Sequence, residues 1–264
     1  MIELNINPHF KLENIFLYNS DALEILKSFP NDSVDLIFAD PPYFLSNGGI
    51  TCHSGKMVLV DKGEWDKESS TLTMDEFNYY FLKESQRIIK DTGSIWVSGT
   101  FHNIYSIGYH MQQLQMKILN NITWQKTNPA PNLSCRMFTH STETIIWARK
   151  NEKSKHYFNY EAMKLENNGK QMKDVWSFPT VKKSEKKFGK HPTQKPLDLL
   201  KRIVLSSSKE GDLVLDPFVG SGTTGVACLE LDRKFIGIDN NEEYLNIAVS
   251  RIKDSATSIQ SELL

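Results

Sequence analysis

The sequence lacks the features that mark several classes of protein. It has only three cysteines, Cys52, Cys135 and Cys228, whose wide spacing fits neither a disulfide framework nor a zinc knuckle. No apolar run approaches the roughly 20 residues of a membrane-spanning helix, and the first residues lack the basic and apolar stretches of a secretory signal. Charge is balanced, with 31 Lys and Arg against 32 Asp and Glu, so no overall basic excess indicates a nucleic-acid partner. These absences predict a cytoplasmic protein without a membrane segment.

Apolar segments of strand length alternate with amphipathic segments along most of the 264 residues. This alternation is typical of an α/β protein with a doubly wound, mostly parallel sheet and helices on both faces. The predicted strands are Ile15–Tyr18, Val34–Ala39, Gly93–Val97, Ile118–Gln125, Thr144–Ala148, Leu213–Asp216 and Phe235–Ile238. The predicted helices are Asp21–Leu26, Asp75–Lys90, Ile104–Leu114, Leu197–Ser206, Thr223–Leu231 and Glu242–Lys253.

The alternation is interrupted between residues 151 and 190, where ten lysines and six aromatic residues occur. This predicts one domain whose two halves, residues 1–150 and 191–254, flank a small inserted region. A frayed, serine-rich tail is predicted over residues 255–264. Lysines among aromatic side chains can contact phosphates and bases, although an ordinary solvated face explains the same composition.

The segment after the predicted strand Leu213–Asp216 is rich in glycine. Gly220, Gly222 and Gly225 follow the pattern G-x-G-x-x-G, and Asp239 follows Gly220 by 19 positions, at the end of the next strand. A loop of this kind lets a ligand approach the backbone closely, and the later carboxylate can bind ribose hydroxyls. It therefore suits any cofactor that carries adenosine, but a tight strand-to-helix turn also requires glycine. No lysine follows the glycines, which disfavours a phosphate-binding P-loop.

A second motif, Asp40-Pro41-Pro42-Tyr43, ends the apolar run Val34–Ala39. Prolines keep the backbone extended and donate no N–H, so carbonyl oxygens can point into a crevice at the carboxyl end of the strand. The carboxylate of Asp40 and the carbonyl of Pro41 can accept both hydrogens of an exocyclic amino group on a base, and Tyr43 offers a ring for stacking. The alternative is a simple Pro-Pro turn with Asp40 as a cap.

The two motifs together resemble those of the DNA methyltransferases that methylate amino groups with S-adenosyl-L-methionine (AdoMet). The segment from Asp216 to Thr224 is similar to the AdoMet-binding motif of that family, and His191–Pro196 is similar to the element that precedes it. The resemblance implies the same α/β fold and the same cofactor. The residues it assigns to AdoMet are Asp21, Ala22, Asp40, Thr193, Lys195, Asp216, Phe218, Gly220, Ser221, Gly222, Thr223, Thr224 and Asp239.

Several of these assignments have a plainer alternative. The resemblance places Asp21 at the adenine of AdoMet, but an aspartate before a helix is also a common N-cap. It places Thr193 and Lys195 at the methionine end, but a proline-initiated helix explains their segment equally well. The resemblance also implies that Asp239 contacts the ribose. It implies that the N-terminus of the helix after the glycines contacts the methionine carboxylate.

The tetrapeptide resembles the catalytic motif of N6-adenine methyltransferases, in which Asp40, Pro41, Pro42 and Tyr43 would act on a base extruded from the helix. Because the tetrapeptide precedes the glycine segment, the chain resembles the circularly permuted β group of that family. The stretch 124–144 is similar to DpnA-type enzymes of DpnII-like restriction-modification systems, which implies adenine in GATC as the target. The implied methyl transfer is direct, with neither a metal nor a covalent enzyme intermediate.

The resemblance also implies partners. DNA is the expected substrate. From their composition, the lysines and aromatic residues of 151–190 are expected to recognise the target, and a glycine-rich loop over residues 47–68 is expected to order over it, although Trp65 in that loop fits a core anchor as well. A homodimer, a cognate restriction endonuclease and a companion methylase remain open. The residues expected to contact DNA are Arg136, Lys182, Lys183, Lys186 and Lys187, although Arg136 equally fits an ion pair with an acidic residue.

Three other functions remain open on the sequence. N4-cytosine methylation shares the fold and the chemistry. A nicotinamide-dependent oxidoreductase would use the glycine segment, but it gives the tetrapeptide at Asp40 no role. A non-catalytic DNA-binding subunit would retain the fold, although the intact motifs argue against decay.

Overall fold

The computed structural model describes residues 2, 4, 6–43, 50–53, 56–59 and 72–262. Its strands are β1 Phe10–Leu12, β2 Ile15–Asn19, β3 Val34–Ala39, β4 Ile50–His53, β5 Lys56–Leu59, β6 Ile89–Gly99, β7 Lys117–Lys126, β8 Thr142–Arg149, β9 Val175–Phe178, β10 Leu213–Asp216 and β11 Lys234–Asp239. Its helices are α1 Ala22–Ser28, α2 Met74–Ile88, α3 Ile104–Gln113, α4 Tyr160–Glu166, α5 Leu197–Ser207, α6 Thr223–Glu230 and α7 Glu242–Glu262.

Within the described residues, nine strands form one mostly parallel sheet in the order β1-β2-β11-β10-β3-β6-β8-β7-β9. Strands β2, β11, β10, β3 and β6 run parallel, and β8 is antiparallel to both of its neighbours. The prediction of a doubly wound α/β sheet is confirmed. Every strand and helix predicted above is present, with ends that shift by a few residues, except that α7 runs nine residues beyond its predicted end.

The sheet is covered on both faces because its strands are apolar on both sides. In β3, Leu36 and Phe38 pack on one face, and Ile37 and Ala39 pack on the other. Helices α5, α6 and α7 cover the first face, and α1, α2 and α3 cover the second. The continuous apolar run of β3 thus follows from burial on two sides.

The connections reverse direction between β3 and β10. From β3 the chain passes through α2 to β6 on one side, and from β10 it passes through α6 to β11 on the other. Such a reversal leaves a crevice at the carboxyl ends of the two strands, where ligands bind in open α/β sheets. Both sequence motifs follow these two strands.

The region 151–190 and the tail differ from the sequence-based picture. Strand β9 pairs in parallel with β7 at the edge of the main sheet, and Trp176 and Phe178 are buried in the core. These two rings are therefore structural rather than exposed. The tail predicted to fray after Asp254 instead continues α7 to Glu262, because Ser255 is buried and its hydroxyl donates to Glu230.

Part of the predicted substrate loop lies outside the described residues. Within residues 47–68 the structure gives β4 and β5, which pair antiparallel. Gly48, Gly49, Gly55 and Gly63, on which the prediction of a closing loop depended, and Trp65, the alternative core anchor, are not among the described residues. In the part of the chain that is described, no helix combines the length and the apolar character needed to cross a bilayer.

Candidate active site

A cavity of about 480 Å³ opens at the carboxyl ends of β3 and β10, and we call it the crevice cavity. The two strands are adjacent, with Leu215 paired to Ile37, so the segments after them meet at one edge of the sheet. Of the residues assigned to AdoMet or to catalysis, those lining the cavity are Asp21, Ala22, Asp40, Pro42, Thr193, Lys195, Asp216, Phe218, Gly220, Ser221, Thr223, Thr224 and Asp239. Pro41, Tyr43 and Gly222 do not line it.

The glycine segment needs glycine for two physical reasons. Gly220 and Gly222 have φ of +47° and +79°, in the left-handed region that favours glycine. A Cβ on Gly220 would lie 2.9 Å from Nε2 of His191, and a Cβ on Gly222 would lie 2.7 Å from that of Ala248. The turn therefore requires these glycines, and they also bring the backbone to the cavity wall.

Asp216 and Asp239 are held by the segment they enclose. Oδ1 of Asp216 accepts from the backbone N–H of Phe218 at 3.0 Å, and the hydroxyl of Thr224 lies 2.5 Å from its Oδ2. Oδ2 of Asp239 accepts from the N–H of Gly220 at 2.9 Å. The strand end of β11 is thus tied to the glycine segment that follows β10.

The buried carboxylates give the cavity a negative character. Burial raises the pKa of Asp216 to about 7, with smaller contributions from Asp40 and Asp239, although hydrogen bonds from Thr224 and Phe218 oppose the rise. Burial also raises the pKa of Asp239, against its backbone hydrogen bonds. Carboxylates that ionise reluctantly in a low dielectric favour a cationic ligand beside them.

Asp21 has both of the roles that the sequence left open. Its carboxylate accepts from the backbone N–H of Glu24 at 3.0 Å, which makes it the N-cap of α1. It also lines the crevice cavity, together with Ser20 and Ala22. Capping fixes the side chain at the cavity wall, so the two roles are compatible.

Asp40 lies in a dense hydrogen-bonded cluster. Oδ1 accepts from the hydroxyl of Tyr43, and Oδ2 accepts from Nζ of Lys195 at 2.5 Å. Nζ of Lys195 also lies 3.1 Å from the hydroxyl of Tyr43 and 5.6 Å from the centre of its ring. The structure therefore brings Lys195 to the tetrapeptide Asp40–Tyr43 itself. Tyr43 is only 5% exposed, so its side chain is held in place. Its hydroxyl, which donates to Oδ1, therefore orients Asp40.

The protonation states in this cluster follow from burial and charge. Burial raises the pKa of Asp40, and Lys195 only partly offsets the rise. Burial alone would lower the pKa of Lys195, but Asp40 and Glu143 more than compensate and raise it. Burial and the same two carboxylates raise the pKa of Tyr43 well above its usual value. Lys195 is therefore charged, and Tyr43 remains a donor.

Two residues without an assigned role on the sequence, Glu143 and Lys126, extend the cluster around Asp40 and Lys195. Glu143, at the start of β8, lies 3.5 Å from Nζ of Lys195, and its other oxygen lies 2.7 Å from Nζ of Lys126 on β7. Burial raises the pKa of Glu143, but Lys195 and Lys126 together lower it below its ordinary value. The one available signal was a carboxylate at the start of an apolar strand, which also fits a surface end.

A third missed residue supports the glycine segment from behind. Nη1 of Arg251, on α7, donates to the carbonyl of Ser221 at 2.8 Å and to the hydroxyl of Thr223 at 2.8 Å. The guanidinium is buried and lies 3.9 Å from Oε2 of Glu185. An arginine in a long amphipathic helix gives no sequence signal for this role.

The residues expected to contact DNA are exposed and lie in two places. Lys182–Lys187, which we call the lysine turn, packs beside α5, where the carbonyl of Glu185 accepts from Gln194 at 3.1 Å. Lys182 and Lys187 form ion pairs with Asp198 and Asp254, at 2.9 and 2.6 Å. Arg136 is exposed in the β7–β8 connection, and within the described residues it makes no ion pair.

The family follows from comparison with known proteins. The profile of the DNA methylase family of N6 and N4 methyltransferases matches residues 34–250, which include both motifs. The chain belongs to the DNA methylase family. It is 58% identical to the Type II methyltransferase M2.LlaDCHI of Lactococcus lactis subsp. cremoris, over 96% of this chain and 95% of that protein.

Two further similarities extend this membership. The Type II methyltransferase M2.DpnII of Streptococcus pneumoniae is 57% identical over 95% of this chain and 94% of its own. The crystal structure of the M1.HpyAVI–SAM complex matches with a TM-score of 0.65 and 29% identity, covering 90% of this chain and 98% of that one. The predicted resemblance to DNA amino-methyltransferases is confirmed, and this DNA methylase is a DNA methyltransferase with the fold of its relatives.

Proposed function

We propose that this DNA methylase transfers a methyl group from AdoMet to N6 of an adenine in DNA, as the modification enzyme of a Type II restriction-modification system. The observation that carries the proposal is the adjacency of β3 and β10, which joins Asp40 and the glycine segment in one cavity. The names of M2.DpnII and M2.LlaDCHI support the Type II assignment. The likeness to DpnA-type enzymes supports GATC as the target site.

The crevice cavity fits AdoMet in volume and in charge. A site of about 480 Å³ is within the size range of cofactor pockets. Gly222, the N-cap of α6, provides no side-chain acceptor, so the first N–H groups of α6 remain for the methionine carboxylate. Asp239 suits the ribose, Asp21 the adenine, and Asp40 and Asp216 the positive sulfonium. The SAM complex of the related M1.HpyAVI supports the same cofactor.

Asp40 and Pro41 would act on the target amino group. When bound, AdoMet supplies the methyl group, which the amino nitrogen takes up as the carbon–sulfur bond breaks and its electron pair stays on sulfur. The carboxylate of Asp40 and the carbonyl of Pro41 would accept the two N–H groups, which stabilises the positive charge that develops on nitrogen. The methylated nitrogen would then lose one of these two protons, through the carboxylate of Asp40, to give neutral N6-methyladenine. Pro42 keeps this backbone extended, and Tyr43 orients Asp40 through its hydroxyl.

DNA would approach over a surface at the carboxyl ends of β6 and β7 that we call the acid-free rim, residues 100–103 and 127–141. These segments follow β6 and β7 at the carboxyl edge of the sheet, and they contain no Asp or Glu. Phe101 stacks on His140 at 5.0 Å between ring centres, and Phe138 is 97% exposed. A surface with exposed rings, Arg136 and no carboxylate suits a polyanion with stacked bases.

The remaining partners belong to the same proposal. A cognate restriction endonuclease and a companion methylase would recognise the same site, and the chain would act as a homodimer in the cytoplasm, where its DNA is. Sedimentation of the purified protein, alone and with DNA, tests the homodimer. Lys183 and Lys186 of the lysine turn would add phosphate contacts beside the rim.

The test is transfer of labelled methyl from AdoMet to duplex DNA that contains one GATC site. We expect label in N6-methyladenine, and none in a duplex in which the site is scrambled. Asp40→Ala should lower the rate by about 10²–10³-fold, the range for losing one group that stabilises a transition state, and AdoMet should still bind. Label in N4-methylcytosine would establish the alternative chemistry. NAD binding in place of AdoMet would overturn the proposal, and wild-type protein that binds DNA without turnover would reveal a non-catalytic subunit.

A further inference from the structure

Both carboxylate oxygens of Asp40 are already occupied. Oδ1 accepts from the hydroxyl of Tyr43, and Oδ2 accepts from Nζ of Lys195 at 2.5 Å. In the proposed function, the same carboxylate must accept an N–H of the target base. Each oxygen keeps a second lone pair, but the ammonium of Lys195 neutralises the carboxylate and makes it a weaker acceptor for the amino group. Asp40 regains its full acceptor strength only if that ammonium moves away.

Lys195 is the donor with another carboxylate within reach. Oε2 of Glu143 lies 3.5 Å from Nζ of Lys195, and this oxygen is buried without a hydrogen bond to any described residue. Oε1 of the same side chain is held by Lys126 at 2.7 Å, so the carboxylate is fixed in direction. A buried acceptor without a donor is unfavourable, and it is satisfied once a donor approaches.

We propose that Lys195 passes from Asp40 to Glu143 when the target amino group binds, so that Glu143 acts as a positioning residue that frees Asp40. This inference rests on the proposed function. The ammonium needs to move by less than about 1 Å to reach ordinary hydrogen-bond distance from Oε2. Its contact with the carbonyl of Thr193, at 3.3 Å, lies on its own segment and can persist.

The arrangement keeps every buried charge compensated during the exchange. If Glu143 were absent, Lys195 would have to leave a buried carboxylate with no replacement, which is strongly unfavourable. With Glu143 in place, the ammonium exchanges one carboxylate for another, and Asp40 exchanges an ammonium donor for the amino group. The target amino group then competes for Asp40 with an ammonium that Asp40 shares with Glu143, instead of one that is paired with Asp40 alone.

The charges around these groups give the inference a pH signature. Asp40 is faced by Lys195, Tyr43, Glu143 and Asp216, while Glu143 is faced by Lys126, Lys195 and Asp40. Because Glu143 raises the pKa of Asp40, Glu143→Gln should lower that pKa and move the acidic limb of kcat/KM to lower pH. The same change should lower kcat at the plateau, because Lys195 remains on Asp40.

The experiment compares Glu143→Gln with wild type in the methyl-transfer assay across pH. We expect kcat to fall by about 10-fold or more, the size of losing one buried charged contact, the acidic limb to move down, and the Kd for AdoMet to stay near that of wild type. The matched control is Lys90→Met, which breaks the partly buried pair of Lys90 with Asp35 (2.8 Å) at the opposite end of β3. The control should leave both kcat and the acidic limb unchanged.

Three outcomes would overturn the inference: an unchanged kcat in Glu143→Gln, a lower kcat with an unmoved acidic limb, or the same changes in Lys90→Met. A crystal structure of the wild-type enzyme with sinefungin and GATC duplex provides a measurement that does not depend on a variant folding. It should show Nζ of Lys195 within hydrogen-bond distance of Glu143 and away from Asp40, and an unmoved Lys195 would refute the exchange. Failure of the proposed function is distinct, because the wild-type enzyme itself would then not methylate DNA.

Discussion

In the crevice cavity, Asp216 is buried and Asp40 and Asp239 are half-buried within one pocket, whereas in the lysine turn Lys182 and Lys187 are exposed and each lies against a carboxylate. The first region places three carboxylates in a low dielectric, with the ammonium of Lys195 against one of them. The second distributes charges of both signs in water. The two regions are joined by the segment that runs from the lysine turn through Lys195 into the cavity.

The difference shows where charge is placed for a ligand and where it is not. Buried carboxylates raise one another's pKa and destabilise the folded state, and a cationic ligand relieves that strain. Exposed ion pairs contribute about 0–1 kcal/mol each and are screened by salt. The crevice cavity is therefore organised for its cofactor, while the ion pairs of the lysine turn contribute little to stability.

If Asp216 titrated like a surface carboxylate, the crevice cavity and the lysine turn would not differ in how they hold charge. The pKa of Asp216 is about 7 in the folded protein against an ordinary value of 3.8, so between these values the folded state binds the extra proton. The free energy of unfolding should therefore fall as pH rises through this window. Asp216→Asn removes that fall, and relative to wild type the variant should gain about 2–4 kcal/mol from the low to the high end of the window.

Urea unfolding of both proteins at several pH values measures this gain. The matched control is Asp212→Asn, at the other end of β10, where the carboxylate is partly exposed and accepts from the N–H of Lys209 at 2.8 Å. Its stability difference from wild type should stay nearly constant with pH. Parallel curves for Asp216→Asn and wild type would show that the cavity does not hold its carboxylates as described.

The crevice was predictable because its determinants are local. The apolar run of β3 and the glycines after β10 are read from short stretches, and the rule that ligands bind at the carboxyl ends of strands places Asp40 and Asp216 together. The adjacency of β3 and β10 confirms that placement. The roles of the individual residues remain proposals.

The rest of the site was not predictable because its determinants are long-range. Glu143 meets Lys195, and Lys126 meets Glu143, only because β7 and β8 pair with each other beside β6, and pairing partners are not encoded in a local pattern. Trp176 lies in the polar segment 151–190, which the sequence assigns to target recognition. Strand β9 buries it at the sheet edge, where tertiary packing overrides composition.

The acid-free rim differs from both the crevice cavity and the lysine turn, because it carries little charge of either sign. If Phe138 stacks on a base, Phe138→Ala should raise the KM for DNA by about five- to tenfold, at the low end of the 1–3 kcal/mol measured for stacked bases. The Kd for AdoMet should not change. Leu165→Ala, which removes another exposed apolar side chain (79% exposed) on α4, is the control and should leave the KM for DNA unchanged. An equal effect of the two variants would exclude a specific stacking role.

The smallest effect separates two neighbours in the lysine turn. Lys187 is paired with Asp254 at 2.6 Å, whereas Lys186 is exposed and has no ion pair among the described residues. Lys186→Ala should weaken DNA binding by about two- to threefold and reduce the slope of log K against log salt by about 1, as expected for one lost phosphate contact. Lys187→Ala should change the slope less, because its ammonium is already engaged.

Asp254→Asn tests whether the contribution of Lys187 to DNA binding is limited by its ion pair with Asp254 or by its position on the surface. The substitution releases the ammonium while leaving every lysine in place, so a turn that faces the phosphates should gain a contact and show a steeper salt dependence. Fluorescence anisotropy of labelled GATC duplex over a range of salt concentrations measures all three variants against wild type. If none of them changes the slope, the lysine turn is an ordinary solvated surface, and the DNA contacts lie on the acid-free rim alone.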